Sequence, residues 1–405
     1  MGIRPALRGV CYNPAREVDV ILTEIREAEA LTDVRAEWSA LAERAAGSTV
    51  YQTWEWNEAW WGAFGPGKQL RLLMVHDGPD LVGLAPLYRA RHLGTPLRRL
   101  AFLGTGASDY LDVLALPGTE RAVCAAVCRR LAEWRDYDLV SLQQMHARSA
   151  ILAHVADPPV AGLNGHRVQI DPLEVCPFVR LPSCWEDYLR SLGKKTRSNV
   201  TYYERLTARE LPETSIAMVD ESGLQDGMSA LFDLHQRRWR SRWMPGALGT
   251  AAVQRFHRLV AERFAERGWL RLHAARSEGR IIAALYCFAY HNRYYYYLGG
   301  FEPTLSRYSL GTTLTAAAIR QAIAEQCAEF DFLRGKEAYK QRWKPDERTN
   351  LHCLIAKPGD WRSHVMLRLN AMERRIERKA KELSDRGVRP GKRSAPRSDN
   401  GRQTT

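Results

Sequence analysis

"SLGTTLTAAAIRQAIAEQCAEFDFL", residues 309–333, has an echo earlier in the chain: "LPGTERAVCAAVCRRLAEWRDYDLV", residues 116–140. The two align without a gap. Gly118 stands 20 residues before Asp138, and Gly311 stands 20 residues before Asp331. In each copy a Gly-Thr opens a run with apolar residues at helical spacing, and an aromatic-Asp pair sits in the short strand that follows. The pairing extends upstream. Residues 70–90, "LRLLMVHDGPDLVGLAPLYRA", parallel residues 270–290, "LRLHAARSEGRIIAALYCFAY". Both read as strand, turn, strand, with Asp-Gly-Pro-Asp or Ser-Glu-Gly at the turn. An order of two helices, an antiparallel meander, a helix and a further strand, met twice, predicts an α/β chain of two tandem units. Each would be a mixed, mostly antiparallel sheet flanked by helices.

Around the repeat the chain divides readily. Residues 1–17 read as a loose N-terminus, 18–180 as the first domain and 213–358 as the second. Between them, residues 181–212 form a basic bridge. Its segment 184–210, "CWEDYLRSLGKKTRSNVTYYERLTARE", is mostly helical in pattern and broken near Gly193. Lys194, Lys195, Arg197 and Arg205 make it either a solvated helix or a positive wall over an anionic substrate or cofactor. Residues 359–384 carry Val365, Leu369, Met372, Ile376 and Leu383 in steps of threes and fours, plus the longer step to Leu383, the pattern of a basic amphipathic helix. Such a helix packs on the body or lies on a membrane surface. The Pro/Gly/Ser/Arg-rich residues 385–405 read as disordered.

Composition narrows the function classes. The 405 residues are 45% hydrophobic and 26% charged, the profile of a soluble globular protein. The longest apolar run, residues 281–290, is too short to span a bilayer, and the N-terminus has no apolar core of a signal peptide. A cytoplasmic location follows, with a peripheral place at the inner membrane left open by the tail. The net charge is +13, but residues 361–405 hold 13 Lys/Arg against five Asp/Glu. The body is therefore not a strongly basic nucleic-acid binder, and no sequence-specific nucleic acid is expected as a partner. Eight scattered cysteines lack zinc-ligand spacing and read as buried thiols. No metal is expected, because the histidines are dispersed. A Walker loop, a dinucleotide fingerprint, a zincin motif and a nucleophile elbow are all missing.

What remains is residues 299–320, "GGFEPTLSRYSLGTTLTAAAIR", a strand end, a loop and a helix start. The first-turn N–H groups of a helix lack intrahelical acceptors and carry the positive end of the dipole, which suits an anion. Gly311 would let the chain approach a phosphate, Ser309, Thr312 and Thr313 add hydroxyls, and Arg307 adds charge. The same residues also describe an ordinary helix cap. Downstream, residues 329–345, "EFDFLRGKEAYKQRWKP", put Asp331 in a core strand. Desolvated there, its pKa would rise and it could act as a base, or it could bond neighbouring backbone.

The chain resembles the GNAT acyltransferase superfamily, in its tandem-domain, CelD-like branch of cellulose- or exopolysaccharide-associated acetyltransferases. The Fem-type aminoacyl transferases resemble it in architecture. The residues that carry the likeness are "YQTWEWNEAWW" (51–61), "LVGLAPLYR" (81–89), "FLGTGASDYLDVLALPG" (102–118), "LHQRRW" (234–239), "YYYYLGGFEPTLSRYSLGTTL" (294–314) and "EFDFLRGKEAYKQRW" (329–343).

The resemblance implies tandem GNAT domains and an acetyl- or other acyl-coenzyme A donor. The pantetheine would lie along the strand holding Leu298 and Gly299. The pyrophosphate would lie on Arg307, Ser309, Leu310, Gly311, Thr312 and Thr313. The usual Q/R-x-x-G-x-G/A loop is replaced here by Arg307-Tyr-Ser-Leu-Gly311-Thr, which leaves the acyl carrier open. Lys340 is implied as oxyanion stabiliser or acceptor-phosphate ligand, Tyr339 as the acid for the thiolate, and Asp331 as base. Arg334, Lys336, Arg342 and Lys344 would form a cationic rim, with Glu337 beside it. Arg237, Arg238 and Trp239 would hold the acceptor, joined by Asp109, Tyr110 and Asp112 from a first domain that does not bind donor. The acceptor implied is an amine or hydroxyl of a sugar, glycan precursor or small metabolite. The rival readings are an aminoacyl transferase and a non-catalytic partner of a polysaccharide synthase.

Overall fold

The computed structural model describes residues 19–92, 94–240 and 248–387, with the side chains of 238–240, 378 and 380–387 left aside. The expected loose N-terminus and nearly all of the expected disordered tail lie outside these residues. The first half of the chain forms β1 (Ile21–Ile25), α1 (Ala30–Asp33), α2 (Arg35–Arg44), α3 (Trp54–Phe64), β2 (Gln69–Asp77), β3 (Asp80–Arg91) and β4 (Arg98–Phe102). It continues with β5 (Leu114–Ala115), α4 (Glu120–Glu133), β6 (Leu139–His146), α5 (Ala150–Val155) and β7 (Arg167–Arg180). The bridge is two helices, α6 (Trp185–Ser191) and α7 (Lys194–Glu210), and Gly193 caps the second. The second half repeats the order with β8 (Ser215–Met218), α8 (Leu224–Arg240), α9 (Ala251–Glu266), β9 (Leu270–Ser277), β10 (Arg280–Tyr290) and β11 (Arg293–Phe301). There follow α10 (Leu310–Ala324), β12 (Glu329–Asp331), α11 (Ala338–Gln341), β13 (Asp346–Ala356) and the long α12 (Trp361–Gly387).

All strands join one mixed sheet in the order β1-β2-β3-β4-β6-β13-β7-β12-β11-β10-β9-β8, with β5 on β3. The α/β class and the mostly antiparallel ladders are those the repeat predicts. In each half the strand after the crossover helix runs parallel to the last meander strand, β6 on β4 and β12 on β11. The centre departs from a side-by-side arrangement. β7 leaves its own half to pair with β12 and β13, while β13 inserts between β6 and β7. The expected first-domain end at residue 180 closes β7, yet both neighbours of β7 belong to the second half.

β7, "RVQIDPLEVCPFVR", escapes sequence reading because Pro172 and Pro177 argue against a central strand. Both are accommodated. Pro172 falls next to a register shift in the β7–β13 ladder, and Pro177 lies beyond the last rung to β12, where its carbonyl accepts from the Phe332 N–H at 2.9 Å.

One core runs across both halves. Trp56 of α3 is fully buried and packs edge-on against Phe256 of α9, Phe288 of β10 and Tyr297 of β11, while its indole N–H donates to Ser108 Oγ at 2.7 Å. Aromatic pairs of this geometry are each worth about 1 kcal/mol beyond area burial. They fix α3 of the first half against α9 of the second. All seven described cysteines are free thiols, six of them buried.

Candidate active site

The site begins where β11 and β12 part. They share three rungs, Arg293↔Glu329, Tyr294↔Phe330 and Tyr295↔Asp331. β12 then stops, while β11 runs on to Phe301. A bulge interrupts β11: Tyr286 faces Leu298 and Cys287 faces Tyr296, so Tyr297 is the extra residue. Bulges twist a strand and re-aim its side chains. Here the Tyr297 hydroxyl reaches across to the Ala107 carbonyl of the first half, at 2.8 Å.

α10 opens beside this gap. Its N-cap, Ser309, is left-handed (φ 46°) and no side chain caps the helix. The first-turn N–H groups and the dipole are therefore directed at the gap without a resident acceptor side chain. A cavity of about 220 Å³ lies here. It is lined by Gly299–Phe301 of β11, residues 309–312 of the helix start, Thr196 and Asn199 of α7, and Tyr339, Arg342 and Trp343 around α11. Leu314 and Thr315 complete the α10 wall, and Arg342 is exposed at the rim.

A second cavity, about 670 Å³, lies between the halves. Trp60, Phe64, Tyr88 and Phe256 give it an aromatic wall, and Lys68, Asp109, His235, His257, Arg334, Glu337 and Lys340 give it charge and polarity. Leu298 also lines it. Tyr296, Gly299 and Tyr339 line both cavities. The two spaces therefore meet at the bulged part of β11 and at α11.

Electrostatics in the larger cavity follow from burial. Asp109 is buried, which raises its pKa, and the guanidinium of Arg334, 3.5 Å away, opposes that rise. Asn350 of β13 donates to the same carboxylate at 3.1 Å. Burial pushes His257 down to about 3, so it is neutral at pH 7. The Lys68 ammonium lies over the rings of Trp60 and Tyr88, at 5.8 and 6.0 Å, and burial lowers its pKa.

Several expected site residues are brought together: Gly299, Ser309, Leu310, Gly311, Thr312, Tyr339 and Arg342 around the gap, and Asp109, Leu298, Arg334 and Glu337 in the larger cavity. Others are placed elsewhere. Asp331 lines neither cavity. It is fully buried beneath them, accepts from Tyr110 Oη at 2.7 Å and from the Leu333 N–H at 2.8 Å, and has Arg348 at 3.9 Å. Burial raises its pKa to about 6, as desolvation predicts. Tyr110 is thus a partner of Asp331, and Asp112, raised to about 7 by burial, is held by Ser149 at 2.7 Å.

Lys340 lines the larger cavity, yet its Nζ donates to the carbonyls of Leu333, Arg334 and Gly335 at 3.2, 2.7 and 3.3 Å and sits 2.9 Å from Glu337. An ammonium has three donors. All are engaged within the loop, so Lys340 ties the loop together.

Arg307 turns from the gap toward solvent, stacks on Tyr308 and pairs with Glu210 at 3.1 Å. Thr313 is buried and lines neither cavity. Arg237 pairs with Glu302 at 2.9 Å and lines a separate surface cavity with Arg276 and Asp233. Arg238 and Trp239 lie on α8, but their side chains are outside the described residues. Lys336 pairs with Glu347 at 2.8 Å, and Lys344 is exposed. Sequence reading missed Thr196, Asn199, Tyr296, Trp343, Trp60 and Lys68. The cations of "KKTRSN" drew the eye, whereas the small polar residues between them face the cavity.

Among the described residues no group of three His, Cys, Asp or Glu stands where it could hold a metal ion. No described helix is long and apolar enough to cross a membrane.

Residues 194–341 match the family model described as an acetyltransferase (GNAT) domain. No curated protein matches the chain. Among solved structures, the crystal structure of FemX is similar with a TM-score of 0.58 at 10% identity, over 79% of this chain and 95% of that one. A conserved protein of unknown function from Bacteroides thetaiotaomicron is similar with a TM-score of 0.54 at 10% identity, over 83% of this chain and all of that one. The C-terminal domain of an Agrobacterium fabrum protein designated a lysylphosphatidylglycerol synthetase gives 0.52 at 11% identity, over 83% and 96%. At these identities the likeness is one of fold.

Proposed function

We propose that this chain, whose residues 194–341 match the acetyltransferase (GNAT) domain, transfers an acyl group from an acyl-coenzyme A in the smaller cavity to an amine or hydroxyl in the larger one. The observation that carries the reading is the meeting of the two cavities at Tyr296, Gly299 and Tyr339. A thioester in the gap between β11 and β12 would present its carbonyl to a nucleophile arriving from the other side. The pantetheine would pair with the β11 backbone beyond its last rung to β12. The pyrophosphate would rest on the uncapped start of α10 with Arg342 at its rim.

The chemistry then needs the acceptor's proton removed, the new C–N or C–O bond formed, the C–S bond broken and the thiolate protonated. Tyr339, at the junction, is the group assigned to protonate the thiolate. Asp109, rather than Asp331, is the carboxylate inside the acceptor cavity, and its raised pKa suits it to accept a proton. The aromatic wall suits an acceptor with an apolar or sugar face. Calorimetric titration with acetyl-, longer acyl- and free coenzyme A tests the reading. Expected is micromolar-range binding that Gly311→Trp removes. If none of the three binds, the donor assignment is wrong.

A second reading has one observation in its favour. The smaller cavity is flanked by α7, whose first turns carry exposed Lys194 and Lys195, beside a likeness to FemX in fold. A donor on a larger polyanionic carrier, such as an aminoacyl-tRNA, would use that helix. Salt-sensitive tRNA retention together with no response to coenzyme A would select this reading.

A further inference from the structure

α12 has a face that neither the sheet nor the proposed chemistry uses. Its inner side is fixed: Ser363, Met366 and Asn370 are buried, Met366 joining Leu97, Leu139, Leu354 and Ala356 in a small core of its own. Glu373 meets His92 at 3.4 Å, and Arg374 meets Asp171 at 3.6 Å and donates to the Pro172 carbonyl at 2.7 Å. About three turns of the helix are thereby held on the body.

The outer side follows from that anchoring. Stepping by threes and fours, it presents Trp361, His364, Arg368, Met372, Arg375 and Lys379, all exposed, with Ile376 alongside. Trp361, Met372 and Ile376 are 67%, 55% and 62% exposed, among the few large apolar side chains so open in the described residues. At 1.5 Å per residue the stripe is roughly 27 Å long. The sequence that follows, residues 388–405, adds five Lys/Arg against one Asp.

We infer that this face is a docking surface for an anionic lipid bilayer. Cations alone would suit any polyanion. A Trp, a Met and an Ile set among them on one rigid helix face suit the boundary between headgroups and acyl chains, and have no use on a nucleic-acid backbone. The helix lies flat in the interface, and the cations following it add attraction to the same leaflet.

The test uses the full chain and co-sedimentation with vesicles. Vesicles of phosphatidylglycerol and phosphatidylethanolamine bind it at low salt, and phosphatidylcholine vesicles do not. Arg368→Gln with Arg375→Gln weakens binding roughly 25-fold, about fivefold per cation near an anionic surface. Trp361→Ser with Met372→Ser and Ile376→Ser abolishes binding at moderate salt while leaving the unfolding midpoint unchanged, because these side chains are exposed. The inference is overturned if anionic vesicles fail to bind, or if the triple variant binds them as well as the parent. It is also overturned if that variant changes the mass in solution, which would make the face a contact between copies, or if the chain binds duplex nucleic acid but no vesicle.

Discussion

Replacing Lys340 by Met separates a clamp from a catalyst. The loop after β12 is conformationally costly. Leu333 is a buried, non-glycine residue in the left-handed region (φ 56°), and Gly335 has φ 108°. For Leu333 such backbone costs of order 1–3 kcal/mol and persists only where its surroundings hold it, whereas Gly335 adopts its positive φ without that penalty. Lys340 does the holding, with Nζ bonded to three successive carbonyls. Methionine keeps the unbranched stem and roughly the volume of the side chain but removes all three donors. At about 1 kcal/mol net per hydrogen bond, the loop loses ~3 kcal/mol against local opening, or about two orders of magnitude in its opening equilibrium. Hydrogen exchange reads this directly. The Leu333 amide, bonded to Asp331, and the Gly335 amide, bonded to the Val175 carbonyl, should exchange about 100-fold faster. Affinity for acceptor should fall with them, because Arg334 and Glu337 ride on the same loop. Unchanged exchange at both amides together with a collapsed kcat would refute the argument and return Lys340 to the chemistry.

Tyr339→Phe should lower kcat by roughly 100-fold and leave the donor Kd within about twofold, as removal of a general acid does; binding and steady-state kinetics check it. Gly300→Ala should fail to fold or lose both cavities: a Cβ there would lie 2.7 Å from the His235 backbone nitrogen and 2.9 Å from Leu234 Cβ, which would force α8 off β11. Expression, circular dichroism and unfolding midpoint decide that. Asp331, with its pKa raised to about 6 in the fold, contributes stability that is fully present below about pH 4, its ordinary range, and is lost as pH rises to 6. Relative to Asp331→Asn, the parent should therefore gain stability on acidification from pH 6.5 to 4. A flat difference between the two would count against the burial argument.

The repeat was the legible part of this fold. Ungapped spacing from Gly to Asp, with matching hairpins upstream, carried the element order and the α/β class, because helical and alternating periods are local. The exchange of β7 and β13 was not legible. Which strands pair at the sheet centre is a long-range matter, and the two prolines of β7 spoke against any strand there.

The lining of the smaller cavity was readable for a similar reason. A strand end, a loop and an uncapped helix start are contiguous in "LGGFEPTLSRYSLGTT", and the structure keeps Gly299, Ser309, Gly311 and Thr312 around one cavity. The charged residues were less legible. Asp331, Lys340, Arg307 and Arg237 carry the charge that chemistry wants, but each is engaged with a neighbour: Tyr110, three carbonyls, Glu210 and Glu302. Sequence reports the charge and not the partner.

The crossed strands at the middle of the sheet also govern how the chain can be cut and how it can change. A fragment ending at residue 180 would keep β6 with a bare edge and would carry β7, which has no ladder left to join. Its companion, beginning near residue 181, would expose the mirror defect at β12 and β13. Two such fragments mixed together should reassemble, each closing the other's open edge, whereas either alone should aggregate or pair with itself. The same interlock ties the halves together through descent. Neither half can be discarded while it still supplies one rail of the other half's sheet.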